Sequence, residues 1–105
     1  MSDILDRLEA SIAQRRGASP DSSYVASLFA KGREKIAQKV GEEATETVIA
    51  ALSGDPAKLK SEAADLLFHL MILLAEAGLS VNDVFAVLER REGLSGLEEK
   101  AARKD

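Results

Sequence analysis

The chain has 105 residues, of which 46% are apolar and 30% charged, which is the size and balance of one folded domain. It contains no cysteine, which excludes disulfide bonds, thiolate metal sites and thiol nucleophiles. The net charge of −4 excludes a global basic field for nucleic acid, so we expect no nucleic-acid partner, although phosphates can bind where cations gather locally or a metal mediates.

Helical periodicity dominates the chain, and no alternating run of β-branched residues indicates a sheet. The first predicted helix spans residues 3–16. The second is short, from about residue 22 to residue 30, with Asp21 or Ser22 as its cap. The third spans roughly residues 33–52.

Residues 53–56, Ser-Gly-Asp-Pro, predict that one helix stops and another starts. Gly54 can take the left-handed position after a helix, and Asp55 can cap the next one. A fourth helix then spans residues 56–77, and a fifth follows over residues 80–91. The third and fourth helices thus form an antiparallel hairpin about Gly54.

Ser80 and Asp83 resemble a capping box at the start of the fifth helix, with Asp in place of the usual Glu or Gln. We therefore predict one all-α domain over residues 1–92, a bundle of about five helices around the central hairpin. Residues 93–105 are polar and rich in Lys and Glu, and we interpret them as a C-terminal tail.

The beginning of the chain, Met1–Asp6, is acidic and lacks the basic-then-apolar run of a signal peptide. The longest apolar stretch, Leu70–Ala75, is too short to cross a bilayer. We therefore expect a cytoplasmic protein without a membrane partner.

Four carboxylates are placed symmetrically about the predicted turn. Glu46 precedes Gly54 by eight residues and Glu62 follows it by eight; Glu43 and Asp65 lie eleven residues away on either side. In an antiparallel hairpin these residues form two rungs, roughly 12–17 Å from the turn at 1.5 Å rise per residue. The spacing predicts one shared acidic patch, although helix rotation decides which carboxylates face one another.

The fourth helix is apolar over most of its circumference. At 100° per residue its polar positions, Glu62, Asp65, His69 and Glu76, fall within an arc of roughly 60°. We therefore expect this helix to be buried nearly all round, with one acidic stripe. The third helix has an apolar arc with Glu43 at its edge; the arc consists of Ile36, Val40, Ala44, Thr47, Val48 and Leu52.

Four like charges near an apolar core repel one another and lose solvation unless a cation compensates them. Oxygen ligands without cysteine or a histidine cluster favour Mg²⁺, with Mn²⁺ as the alternative, over Zn²⁺. Since Mg²⁺ commonly binds together with substrate phosphates, the pattern indicates phosphate-ester or phosphoanhydride chemistry. The plainer interpretation is that the carboxylates only solvate two amphipathic helices.

Basic residues lead into the acidic patch. Lys31, Lys35 and Lys39 form an i, i+4, i+8 stripe, and Arg33 lies at the start of the same helix. A polyphosphate–metal complex needs such cations, so these four are candidate substrate-binding residues. The alternative is a set of local ion pairs, for instance Lys39 with Glu43.

Four further residues have open roles. Arg90 and Arg91 are candidates for substrate binding or merely complement the dipole of the fifth helix. Tyr24, the only tyrosine, either contributes to the substrate site or covers the core. His69, the only histidine, is more typical of a hydrogen-bonded core residue than of a metal ligand.

The pattern Glu-Glu-x-x-Glu, fifteen residues, then Glu-x-x-Asp resembles the signature of the all-α, MazG-type nucleotide pyrophosphohydrolases. Within them the chain is most similar to the phosphoribosyl-ATP pyrophosphatase family of histidine biosynthesis. The likeness covers about residues 4–91. It is carried by residues 23–28 (SYVASL), 32–46 (GREKIAQKVGEEATE) and 62–70 (EAADLLFHL), and by residues 83–84 (DV) together with 88–91 (LERR). One departure is Val25, where the family commonly has threonine.

The resemblance implies hydrolysis of the α–β phosphoanhydride of phosphoribosyl-ATP to phosphoribosyl-AMP and pyrophosphate. By position it assigns the metal to Glu43, Glu46, Glu62 and Asp65. It makes Glu42 an auxiliary ligand or the group that orients the attacking water, so that Glu42, Glu43 and Glu46 are the catalytic candidates. It also implies an intertwined helical homodimer.

Two other interpretations stay open at this stage. One is a hydrolase that removes unwanted nucleoside triphosphates with the same carboxylates. The other is a non-catalytic helical bundle that dimerises as a binding module. A di-iron carboxylate bundle is disfavoured, because that site wants two Glu-x-x-His pairs and the chain has one histidine.

Overall fold

The computed structural model describes residues 3–92, and every structural statement below concerns them. They form five helices and no strand: α1 (Asp3–Arg16), α2 (Tyr24–Lys31), α3 (Arg33–Leu52), α4 (Pro56–Glu76) and α5 (Val81–Arg91). The prediction of an all-α bundle with five helices is confirmed. The predicted tail, residues 93–105, lies outside the described residues.

The helix starts follow from local capping. Asp55 caps α4 by accepting bonds from the backbone N–H groups of residues 57 and 58, and Gly54 before it has φ +80°. Ser80 and Asp83 form the predicted capping box of α5. The predicted start of α2 is wrong by two residues, because Ser23 is the side chain that accepts from the Ala26 N–H. The predicted end of α4 at residue 77 is one residue too late.

The α3–α4 hairpin is the frame of the fold, and α1 and α2 pack against it. Burial of apolar side chains from all four helices joins them into one core. The core residues are Ile12, Val25, Leu28, Ile36, Met71 and Ile72. By contrast, α5 has no buried residue among those described.

The expectation that α4 is buried nearly all round is wrong for the single chain. Leu67 is 54% exposed, and Leu59 and Leu70 are exposed as well. Val48 and Leu52, assigned to the apolar arc of α3, are also exposed. The reason is that α1, α2 and α3 cover only part of the circumference of α4, which leaves an apolar stripe facing outward.

No single described helix has the length and apolar character needed to span a membrane. Only α4 and α5 taken together reach these limits, by length and composition, and they meet at a bend of 106°.

Candidate active site

Three of the four predicted carboxylates converge between α3 and α4. Glu43, Glu62 and Asp65 each offer a carboxylate oxygen, and these atoms lie within 4.8 Å of one another. Glu43 is 8% exposed, Glu62 is half-buried and Asp65 is exposed, so the cluster runs from the core to the surface. The hairpin register predicted from Gly54 therefore brings the Glu43–Asp65 rung together, with Glu62 beside it.

The fourth carboxylate, Glu46, does not belong to this group of three. It nevertheless lies close enough to Glu62 for its charge to raise the pKa of that carboxyl group. Glu46 is exposed, one helical turn after Glu43 and nearer the hairpin turn. Rotation of α3 thus turns Glu43 into the cluster and leaves Glu46 at its rim.

The cluster has the electrostatics of a cation site. Burial raises the pKa of Glu62 above its ordinary value, and the neighbouring carboxylates raise it further. Its Oε1 atom is buried without a hydrogen-bond partner among the described residues. A buried oxygen without a partner is costly in a folded protein. An oxygen-only donor set with such an atom fits a hard divalent cation.

Thr47 links the two helices that carry the cluster. Its hydroxyl lies 2.7 Å from the carbonyl oxygen of Glu43 and 3.2 Å from that of Glu62. One hydroxyl proton is thus shared between a carbonyl of α3 and a carbonyl of α4. The sequence placed Thr47 in an apolar arc, and no periodic signal could reveal this contact.

A second polar chain joins α2 to the site. His69, 6% exposed, has its Nδ1 atom 2.7 Å from the carbonyl oxygen of Asp65 and its Nε2 atom 2.6 Å from the Tyr24 hydroxyl. The expectation that His69 is a hydrogen-bonded buried residue agrees with this geometry. Tyr24 is 51% exposed, and its hydroxyl is bonded to His69.

The basic stripe reaches the cluster at one residue. The Lys39 ammonium lies 3.3 Å from Glu42 Oε1 and 3.8 Å from Glu43 Oε2. The contact with Glu42 raises the pKa of Lys39. A bond from Gln38 together with Lys39 lowers the pKa of Glu42. Lys39 therefore stays charged, and Glu42 stays ionised, across the neutral range.

The other predicted cations have different surroundings. Lys35 is close enough to lower the pKa of Glu42 by its charge. Arg33 instead forms an ion pair with Glu76 at the far end of the hairpin, with Nε 2.5 Å from Oε1. Lys31 is exposed at the end of α2. Arg90 and Arg91 are exposed in the last turn of α5.

A small open pocket of about 220 Å³ adjoins the cluster on the side of the hairpin turn. Its walls combine two carboxylates, one ammonium group and an apolar surface; the lining residues are Glu46, Ile49, Ala50, Lys58 and Glu62. Lys58 was not among the predicted site residues. It lies in the first turn of α4, outside the basic stripe on α3, so the stripe could not indicate it.

The fold and the carboxylates between the hairpin helices are compatible with a MazG-like helical bundle. The chain matches the family described as phosphoribosyl-ATP pyrophosphohydrolase over residues 5–92. It is 67% identical over 103 residues to a phosphoribosyl-ATP pyrophosphatase of Rhizorhabdus wittichii, covering 98% of this chain and 97% of that protein.

Similar proteins of the same name occur in Erythrobacter litoralis, 65% identical over 96% of this chain and 97% of the relative, and in Dinoroseobacter shibae, 59% identical over 95% and 98%. The chain belongs to the phosphoribosyl-ATP pyrophosphohydrolase family. The resemblance drawn from the acidic motifs is thereby confirmed.

Proposed function

We propose that this chain hydrolyses phosphoribosyl-ATP to phosphoribosyl-AMP and pyrophosphate, as a step of histidine biosynthesis. The family supports the substrate, and the convergence of Glu43, Glu62 and Asp65 supports the chemistry. In the reaction a water oxygen forms a bond to phosphorus, the α–β bridging P–O bond breaks, and pyrophosphate leaves with that bridging oxygen. The cytoplasmic location stays a prediction, and residues 1–92 are proposed as the catalytic domain.

The proposed cofactor is Mg²⁺, with Mn²⁺ able to replace it. Glu43, Glu62 and Asp65 would hold the ion, and the unpartnered Oε1 atom of Glu62 would gain a partner in it. Glu46, at the rim of the cluster, would be a further ligand of the ion. A bound divalent cation neutralises phosphate charge and makes water more acidic.

The remaining roles follow from the charges around the cluster. Glu42 keeps a lowered pKa, which makes it a weak base, so we assign it to orienting the attacking water rather than to taking its proton. We assign the proton of the attacking water to Glu46, which is exposed at the rim of the cluster. Lys39 would leave Glu42 and Glu43 for a phosphate oxygen when the substrate enters.

Substrate binding would extend from Lys39 along the basic stripe. Lys35 and Lys31 continue it on α3 and at the end of α2, and Arg33 would have to exchange Glu76 for a phosphate. Arg90 and Arg91 would contribute only if another element brings α5 to the site. Tyr24 would line the site next to Lys39.

We also propose a homodimer. At 100° per residue the exposed residues Leu59, Leu67 and Leu70 fall within an arc of about 80° on α4, which forms a continuous apolar stripe. The amphipathic helix α5 adds Val84 and Leu88, both exposed. Exposed apolar surface of this extent marks an association site, and a second copy presents the same self-complementary stripe.

A substrate panel tests the proposed activity. Phosphoribosyl-ATP, ATP, dUTP and dCTP are offered separately with Mg²⁺, and the nucleotide products are separated by ion-exchange chromatography. We expect phosphoribosyl-AMP to form much faster than any nucleoside monophosphate from the other three. Fast turnover of dUTP or dCTP with none of phosphoribosyl-ATP would instead identify a hydrolase of nucleoside triphosphates. No turnover of any of them would support a binding module.

A further inference from the structure

The contact between Tyr24 and His69 has a defined direction. A backbone carbonyl can only accept, so the short contact of His69 Nδ1 with the Asp65 oxygen requires the proton on Nδ1. In the neutral ring Nε2 is then an acceptor, and the Tyr24 hydroxyl must donate to it. The chain therefore runs from Tyr24 O–H to His69 Nε2, and from His69 Nδ1–H to the Asp65 carbonyl.

The imidazole at the middle of this chain is held firmly. It is 6% exposed, with the rings of Phe68 and Tyr24 against it edge-on, at centroid distances of 5.6 and 5.7 Å. Its bond to Asp65 ties it to its own helix one turn back. The imidazole therefore presents its Nε2 atom to the Tyr24 hydroxyl in a fixed orientation.

This series of hydrogen bonds ends at the carboxylate cluster. Asp65 supplies both the carbonyl that accepts from His69 and a carboxylate of the cluster. Tyr24 lies within the electrostatic range of Lys39, Glu43 and Asp65, whose charges act on its hydroxyl. Within residues 3–92, this bond is the only recorded side-chain hydrogen bond between α2 and α4.

We propose that Tyr24 and His69 are positioning residues that hold the turn of α4 bearing Glu62 and Asp65 against α2, and so preform the carboxylate cluster for a divalent cation. The inference rests on the proposed function, since it takes the cluster to be the metal site. Neither side chain is a ligand. Residues that hydrogen-bond to metal-binding residues typically affect metal affinity, because they restrict the orientation of the ligands.

Mn²⁺ binding to the folded protein tests this role without using activity. The free Mn²⁺ signal in electron paramagnetic resonance is followed during titration, well below the unfolding temperature. Tyr24→Phe keeps the ring and loses the hydroxyl. His69→Asn keeps an N–H near the Asp65 carbonyl and loses the acceptor for Tyr24, whereas His69→Gln keeps a polar atom near the Nε2 position.

We expect Tyr24→Phe and His69→Asn each to weaken Mn²⁺ binding by about 10-fold. The double variant should bind no more weakly than the single variants, because either change already breaks the chain. His69→Gln should restore part of the affinity. Ser27→Ala is the matched control: it removes a bond of 2.7 Å to the Tyr24 carbonyl within α2 and should leave Mn²⁺ affinity unchanged.

Wild-type Mn²⁺ affinity in Tyr24→Phe and His69→Asn, with only their unfolding temperatures lowered, would overturn the positioning role. Additive losses in the double variant would overturn it too. If one variant fails to fold, the other still decides, since both break the same link. Asp65→Asn tests the proposed metal site separately from the positioning role of Tyr24 and His69. Mn²⁺ binding that is retained in Asp65→Asn would reject the proposed metal site itself.

Discussion

The Thr47 hydroxyl of α3 lies 3.2 Å from the carbonyl oxygen of Glu62 in α4. Because the same hydroxyl donates to the Glu43 carbonyl, one side chain joins the backbone segments that carry two of the clustered carboxylates. Thr47→Val keeps the shape and removes this link. We expect a loss of about 1 kcal/mol in the free energy of unfolding and a higher Mg²⁺ concentration for half-maximal activity.

Thr45→Val is the control for that substitution. It removes a comparable hydroxyl from the same helix, one that bonds only to the Gly41 carbonyl at 3.1 Å. Urea unfolding measures the stability of both variants, and Mg²⁺ titration of their activity measures their Mg²⁺ requirement. An identical Mg²⁺ requirement in the two would show that Thr47 contributes to stability alone.

Glu62 should destabilise the metal-free protein. Its pKa is raised in the folded state by burial and by neighbouring carboxylates, so its ionised form costs folding free energy. A carboxyl group of this kind contributes stability below its unfolded-state pKa, and that contribution is lost as the pH rises through the folded-state pKa. At neutral pH, Glu62→Gln should therefore raise the unfolding temperature of the metal-free protein.

The same substitution should abolish the stabilisation that Mg²⁺ gives the wild type, because a ligand oxygen loses its charge. Thermal scans with EDTA and with Mg²⁺, at neutral pH and near the ordinary glutamate pKa, separate the two effects. The wild type and the variant should converge on acidification in EDTA. A Glu62→Gln protein that is less stable in EDTA at neutral pH would contradict the electrostatic account.

Lys39 should be the basic residue with the largest effect on turnover. Its pKa is raised by the contact with Glu42, so a full positive charge remains beside the cluster at neutral pH. Lys39→Met should lower kcat/KM for phosphoribosyl-ATP by about 100-fold, which is the order of magnitude for removing one electrostatic donor from an active site.

Lys60→Met provides the comparison for Lys39→Met in steady-state kinetics. Lys60 is exposed on α4. A rotation of about 200° around the helix axis separates it from Glu62, so the two side chains lie on nearly opposite faces of the helix. Lys60→Met should retain the wild-type kcat/KM. Equal, small losses in both variants would remove Lys39 from the proposed substrate site.

The apolar stripe on α4 should be an interface between two copies. Leu67→Lys places a charge in its middle and should yield a monomer, because burying an unpaired ammonium group is unfavourable. Ile4→Lys changes a residue of similar exposure, 48%, on α1 and should not affect the assembly. Sedimentation velocity measures both. A monomeric wild type at micromolar concentration would reject the dimer.

Local chemistry made much of the fold predictable. The caps Asp55 and Ser80 and the glycine at position 54 fixed three helix boundaries, since each acts within its own turn. The start of α2 was predicted too early, because Asp21 and Ser22 are of residue types that cap helices as Ser23 does. Only the backbone path shows that Ser23 reaches the Ala26 N–H.

The site was predictable as far as register but not as far as rotation. Spacing about Gly54 placed the carboxylates level, and periodicity placed Glu43 at the edge of an apolar arc. Neither pattern could say that Glu43 is buried in the cluster while Glu46 stays at the rim. The Tyr24–His69 bond joins residues 45 positions apart, and no pattern along the chain connects them. Contacts of this kind depend on how helices pack, which sequence periodicity does not encode.

Pyrophosphate release from phosphoribosyl-ATP, measured with Mg²⁺ and after its removal with EDTA, is the most direct test of the central claim. The account predicts that pyrophosphate and phosphoribosyl-AMP appear in equal amounts with Mg²⁺, that EDTA stops the reaction, and that added Mg²⁺ restores it. It also predicts that Asp65→Asn loses the activity while staying folded. Release that is unaffected by EDTA, or absent in the presence of Mg²⁺, would contradict it.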